Sequence, residues 1–96
     1  MSTIESTIQE TIIAYLRGLD NTYVLNVGGS ASTAKGTPDL IVCHNGRFIA
    51  LEVKQPDGSY GLTKPQMMRM AAIRNAGGVA ETVTSVDDVL VALSPF

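Results

Sequence analysis

The sequence predicts an α/β domain: a mixed four-stranded sheet flanked by helices, in the order α-β-β-β-α-β-α. Three observations carry this. Two runs rich in strand formers, residues 36–43 and 47–54, are separated by His44-Asn45-Gly46, and Asn-Gly between two such runs is the strongest short-range hairpin signal. Ile8, Ile12, Leu16 and Leu19 recur at helical spacing before the hairpin. After it, Gly77-Gly78 divides a helical stretch from a further strand and a last helix. An antiparallel hairpin with helices on both sides implies a mixed sheet. The 96 residues make one small domain.

The first helix is expected over residues 2–19. Ser2 or Thr3 caps its start, and Asp20-Asn21 is a stop signal. At ~100° per residue, Glu5 lies on the line of Ile12 and Leu16, Gln9 follows one turn later, and Glu10 points to solvent. Glu5 is therefore either a working core-side group or a first-turn acid favoured by the helix dipole. Residues 23–27 read as a strand. The glycines and hydroxyls of residues 28–36 predict a mobile loop: a plain connection, or a segment whose amides and Lys35 approach a phosphate backbone. It is not a Walker A loop, because Gly-Lys-Ser/Thr is missing and no helix follows. Pro38 has no amide to donate and marks the start of the next strand. Cys43 reads as a small buried apolar group.

His44, the one histidine, flanks the turn at the end far from Asp39 and reads as structural or solvated. Pro56-Asp57-Gly58 is turn chemistry within the loop of residues 55–61. Thr63 suits an N-cap and Gln66 its N3 position, with Pro65 tolerated in the first turn, so a helix opens here and runs to Asn75. Its methionines predict core or dimer packing. Residues 79–83 form the fourth strand. Ser85 caps the last helix, whose Asp87 and Asp88 are dipole partners and not metal ligands.

Composition narrows the function. A net charge of −2 argues against a general nucleic-acid coat protein, but not against an enzyme whose acidic groups hold a metal. One cysteine excludes an internal disulfide and a zinc cluster. No apolar run is long enough to span a membrane and no signal-peptide pattern opens the chain, so a cytoplasmic location is expected. So short a chain builds only a modest core, and dimerisation would help it.

The hairpin carries the chemistry. If Asn45 and Gly46 are the loop residues of a type I′ turn, His44 faces Arg47 and Asp39 faces Glu52. Cross-strand partners share a face, and Lys54 joins them two residues on. Like charges directly opposite destabilise a pair, and burying an uncompensated carboxylate costs several kcal/mol, as an order of magnitude. A cation must balance the two acids. Lys54 is one; Mg²⁺ satisfies both oxygens better and keeps waters for substrate phosphates.

Pro38-Asp39 followed by Glu52-Val53-Lys54 resembles the PD-(D/E)xK nuclease signature. With Glu5, Gly36-Thr37-Pro38-Asp39-Leu40, Gly46-Arg47-Phe48 and Gln66, the chain is similar over almost its whole length to the virus-type replication-repair nuclease (VRR-NUC) domain. That resemblance implies a restriction-endonuclease-like core and Mg²⁺- or Mn²⁺-dependent hydrolysis of DNA phosphodiester bonds. It implies that Asp39, Glu52 and the Val53 carbonyl hold the metal, with Glu5 completing the site directly or through water. Lys54 would orient the attacking water and stabilise developing charge, and Gln66 would position water or phosphate. Gln66 thus has two roles, helix cap and site residue, which exclude each other for one side chain.

Lys35, Lys64 and Arg69 are the cations expected to meet DNA. The short stand-alone members pair as homodimers and cut branched DNA such as four-way (Holliday) junctions, whose two cleavage points a two-fold dimer matches. Nothing here reads base edges, which needs aimed side chains, so recognition of DNA shape is expected. Two rival readings remain. One is a nuclease-fold DNA-binding protein in which Asp39, Glu52 and Lys54 form a structural ion network. The other is a subunit that cuts only with a helicase or recognition partner.

Overall fold

A computed structural model describes residues 4–27, 35–57 and 61–94 of the chain. The elements are α1 (Ile4–Arg17), β1 (Thr22–Asn26), β2 (Leu40–His44), β3 (Arg47–Val53), α2 (Lys64–Asn75), β4 (Val79–Val83) and α3 (Val86–Leu93). They form one sheet in the order β1-β2-β3-β4. The first two pairings are antiparallel and β3–β4 is parallel, with α2 as the crossover that a parallel pair requires. Fold class and element order are those the sequence predicts. The expected caps Ser2 and Thr3, and most of the loop expected to be mobile, lie outside the described residues. No described helix is long and apolar enough to cross a membrane.

The Asn-Gly turn sets the register. Asn45 and Gly46 both have positive φ, 51° and 80°, as a type I′ turn demands. Every pair then follows, from His44↔Arg47 to Leu40↔Leu51. His44 is structural, as expected: its Nδ1 lies 2.8 Å from Thr22 Oγ1 and its Nε2 3.2 Å from Asn45 Nδ2. The amide of Asn45 donates to Asn21 O across the same end.

The two faces of the sheet are unequal. On one, α1 and α3 bury a continuous core that includes Ile12, Leu16, Val24, Leu40, Val42, Ile49, Leu51, Val53, Val83, Val89 and Leu93. On the other, α2 covers Ala50 and Ala80 with Met70, flanked by Ile41, Leu62 and Ile73. The cross-strand row Tyr23–Cys43–Phe48, with Leu25 beside it, stays exposed. Cys43 therefore departs from the expected burial. Side chains alternate along a strand, so Cys43 faces opposite to the buried Val42, toward a half of the sheet that α2 does not reach.

Two interactions tie down the last elements. Asp88 Oδ2 accepts from both the amide and the hydroxyl of Thr84, while Ser85 Oγ accepts from the Asp88 amide. These bonds hold the Asp88 carboxyl below its usual range, and they bear out its reading as a helix-start acid. Arg74 Nε and Nη2 both donate to the Ala80 carbonyl, at 3.0 and 2.6 Å. Val83 O faces β3, where it accepts from the Lys54 amide. Carbonyls alternate along a strand, so that of Ala80 points off the free side of β4.

Candidate metal centre

The end of the sheet opposite the turn gathers the chemistry. There β2 begins, β3 and β4 end, and α2 starts. β2 and β3 part company at this point. Continued pairing would set a residue-38 carbonyl near the Val53 amide; instead that amide donates to Asp39 Oδ2, at 2.9 Å. The backbone of Asp39 is held on its other side, where its carbonyl accepts from Val27 N at 2.9 Å. A strand residue directs its N–H and C=O toward the same neighbour, so the Val53 carbonyl is aimed to the Asp39 side.

Glu52 sits opposite Asp39 as the turn predicts and is only 4% exposed, the one buried charged residue among those described. The two carboxyls share a hydrogen bond. Burial pushes the Glu52 carboxyl up to about 8, and the charge and hydrogen bond of Asp39 add to it. The Glu5 charge adds a smaller push, while Lys54 opposes them all. Lys54 Nζ stands 4.0 Å from Glu52 Oε1, too far to neutralise it fully. Two carboxylates this close cannot both ionise without a nearby cation. Lys54 offsets the rise only in part, so the pair calls for a retained proton or a bound cation.

Gln66 corrects one expectation. The cap and the site contact do not exclude each other: Oε1 accepts from the Thr63 amide at 2.8 Å while Nε2 donates to Glu52 Oε1 at 2.8 Å. Thr63 Oγ1 accepts from the Gln66 amide, which completes the capping box. The amide has an acceptor at one end and donors at the other, so a single rotamer serves both partners. The helix cap thereby becomes the device that aims a donor at the buried acid.

Glu5 lies on α1, half-buried and near enough for its charge to reach Glu52. It does not close a tight cluster: among the described residues no group of three His, Cys, Asp or Glu side chains converges on one ion position. Gln9 turns instead to β1, donating to Asn26 Oδ1 at 3.0 Å. Lys35, Lys64 and Arg69 are all exposed. Gly36 was not singled out by sequence reasoning beyond its place in the motif. Its φ is +81°, and a Cβ there would lie 2.5 Å from the Pro65 carbonyl carbon and 2.9 Å from the Gln66 amide. The segment before Asp39 is thus packed directly on the first turn of α2.

Two carboxylates and an aimed main-chain carbonyl are hard oxygen donors suited to Mg²⁺ or Mn²⁺, and the Lys54 amine stands beside them. No protein-family model and no curated protein matches the sequence. Solved structures do. The chain is similar to a "VRR_NUC domain" with a TM-score of 0.74 and 24% identity, over 94% of this chain and 96% of that one. It is also similar to a "VRR_NUC domain protein" with a TM-score of 0.72 and 18% identity, over 100% of this chain and 89% of that one. At this identity the likeness is one of fold: the chain has the VRR_NUC nuclease fold over nearly its whole length.

Proposed function

We propose that the chain is a metal-dependent DNA endonuclease of the VRR-NUC kind. It hydrolyses phosphodiester bonds, selects branched DNA such as four-way junctions, and acts as a homodimer. The reading is carried by the Asp39–Glu52 pair, two adjoining acids on a nuclease fold, of which Glu52 is buried and only partly offset by Lys54. Asp39, Glu52 and the Val53 carbonyl would hold one or two Mg²⁺ or Mn²⁺ ions, with Glu5 reaching them through water. When bound, such an ion lowers the pKa of a water and offsets charge on the reacting phosphate.

The chain's own residues do the rest. Gln66 fixes Oε1 of Glu52 and so orients the carboxylate. Lys54, beside Glu52, orients the attacking water and stabilises charge on the phosphate oxygens. Lys35, Lys64 and Arg69 draw the DNA backbone to the opening, a contact that positions without reading sequence. Pairing is supported by the uncovered row Tyr23–Cys43–Phe48, with Leu25 beside it. Contiguous apolar surface of this kind marks interaction sites, and a second copy of the chain would bury it.

The test is direct. The purified protein is incubated with Mg²⁺ or Mn²⁺ on single-stranded, duplex, flap and four-way DNA, beside a Glu52→Ala control. Cleavage that is metal-dependent, greatest on the branched forms and absent in the control is expected. A protein that binds no Mn²⁺ by calorimetry, or a control that still cuts, overturns the assignment. A monomeric mass by light scattering at micromolar concentration removes the dimer alone.

A further inference from the structure

We infer that the depression on the outer flank of the first turns of α2 is a subsite for one unstacked nucleobase beside the scissile phosphate. The inference rests on the nuclease reading above and adds to it a contact to a base. Lys35, Pro65, Met68, Arg69 and Ala72 line an open depression of about 330 Å³, a size at the low end of ligand sites, ~300–1,000 Å³.

Position is the first argument. Gly36 packs against Pro65 and Gln66 so closely that no side chain fits between them. Lys35 is thereby held over the same helical turn whose Gln66 touches Glu52. The depression opens on the same first turns of α2 that carry Gln66, so a nucleotide adjoining a phosphate at the paired acids is within its reach.

Chemistry is the second argument. The floor is apolar: Pro65, Ala72 and Met68, which is 63% exposed. The rim carries Lys35 and Arg69, with Lys64 on the same turn, and among the described residues these three form no ion pair. An apolar floor with a cationic rim fits a ligand that has a flat π-face and flanking phosphates. Thioether sulfur makes favourable contacts with aromatic rings, and a guanidinium stacks on them. A second copy of the chain fits badly, because it would bring its own Lys35 and Arg69 against this rim. Among the described residues no Asn, Gln, Asp or Glu lines the depression, so the subsite takes any base. It selects DNA whose bases are already unstacked, and base contacts of this kind are sequence-tolerant.

The test is ¹³C-methyl NMR of the full chain labelled at its four methionines, assigned by single Met→Leu variants. Four-way DNA is added in EDTA, so that nothing is cut, and binding is followed in parallel by fluorescence anisotropy. At saturation the Met68 methyl is expected to move upfield under a base, while the methyl of buried Met70 stays in place. Replacing the nucleotides near the branch one at a time by abasic residues should remove the shift at one position. Met68→Ala should weaken binding several-fold, up to about ten-fold, the range of one thioether–ring contact, but not for DNA abasic at that position.

The proposal is overturned if no DNA binds, if the Met68 methyl does not move at saturation, or if every abasic substitution leaves its shift intact. A protein that shows the shift but cuts no DNA keeps the subsite and loses the nuclease reading. One that cuts without the shift keeps the nuclease reading and loses the subsite.

Discussion

The central hairpin has two ends made by the same pair of strands. At the turn end, His44 has a partner on each ring nitrogen and Asn45 donates across to Asn21. At the open end, two acids share a hydrogen bond and one of them is buried. At the first end the ring and amide groups pair with one another. The other holds an acid whose pKa is raised and which Lys54 offsets only in part, and perturbed acids of this kind cluster at working sites. The contrast shows how a short chain separates stability from chemistry: the turn fixes the register, and the register forces the conflict about five residues away.

The harshest way to break the comparison is Glu52→Gln. It is expected to reduce metal-dependent cleavage to the level without enzyme, while circular dichroism shows the fold retained. The same substitution sharpens the contrast through pH. The folded pKa of Glu52 is about 8, against an ordinary 4.5. Between those values the native state keeps a proton that the unfolded chain has released, so rising pH works against the fold. The stabilisation is fully present below 4.5 and is lost as pH rises through 8, a swing on the order of a few kcal/mol. Melting temperature in EDTA should therefore fall from pH 5 to 8.5, and Glu52→Gln should flatten that slope. Added Mn²⁺ should raise the melting point most at the alkaline end, since an ion that binds only the native state stabilises it.

Two glycines with the same backbone sign come next. Gly36 and Gly46 have φ of +81° and +80°, but a Cβ at Gly46 meets nothing within 4 Å. Gly46→Ala should cost roughly 1–2 kcal/mol from the left-handed conformation alone. Gly36→Ala adds a backbone collision and should cost roughly 3 kcal/mol or more, with Gln66 displaced. Denaturant titrations of the two variants compare the ends directly.

Gln66→Glu is subtler, because glutamate still completes the capping box but cannot donate to Glu52. Helix stability should hold, while metal affinity falls about 10–100-fold, the usual loss for a group that orients a ligand. His44→Ala is expected to be the mildest. It should leave cleavage unchanged and cost about 1 kcal/mol, the worth of a partly buried hydrogen bond.

Much of this was legible in advance where local chemistry decides. Asn45-Gly46 fixed the strand pairing and set Asp39 opposite Glu52. Thr63-Lys64-Pro65-Gln66 announced a capped helix, and Glu5 and Glu10 were separated by helical phase alone. What was not legible depends on where distant pieces meet. Cys43 sits in a run that reads as buried, and only the lateral position of α2 decides that it is not. Gly36 looks like loop punctuation until its backbone is seen against Pro65. Gln66 looked like a residue forced to choose, because a sequence gives no view of which end of an amide faces which neighbour.

Arg74 closes the account at the opposite border of the sheet. A strand with nothing beside it invites a stray polypeptide to dock by main-chain pairing, the first step toward fibrils. Here a guanidinium already occupies the Ala80 carbonyl on that side through two bonds. An incoming chain would have to evict it, so main-chain pairing is blocked at that carbonyl on the margin where a small sheet is most open to stray pairing.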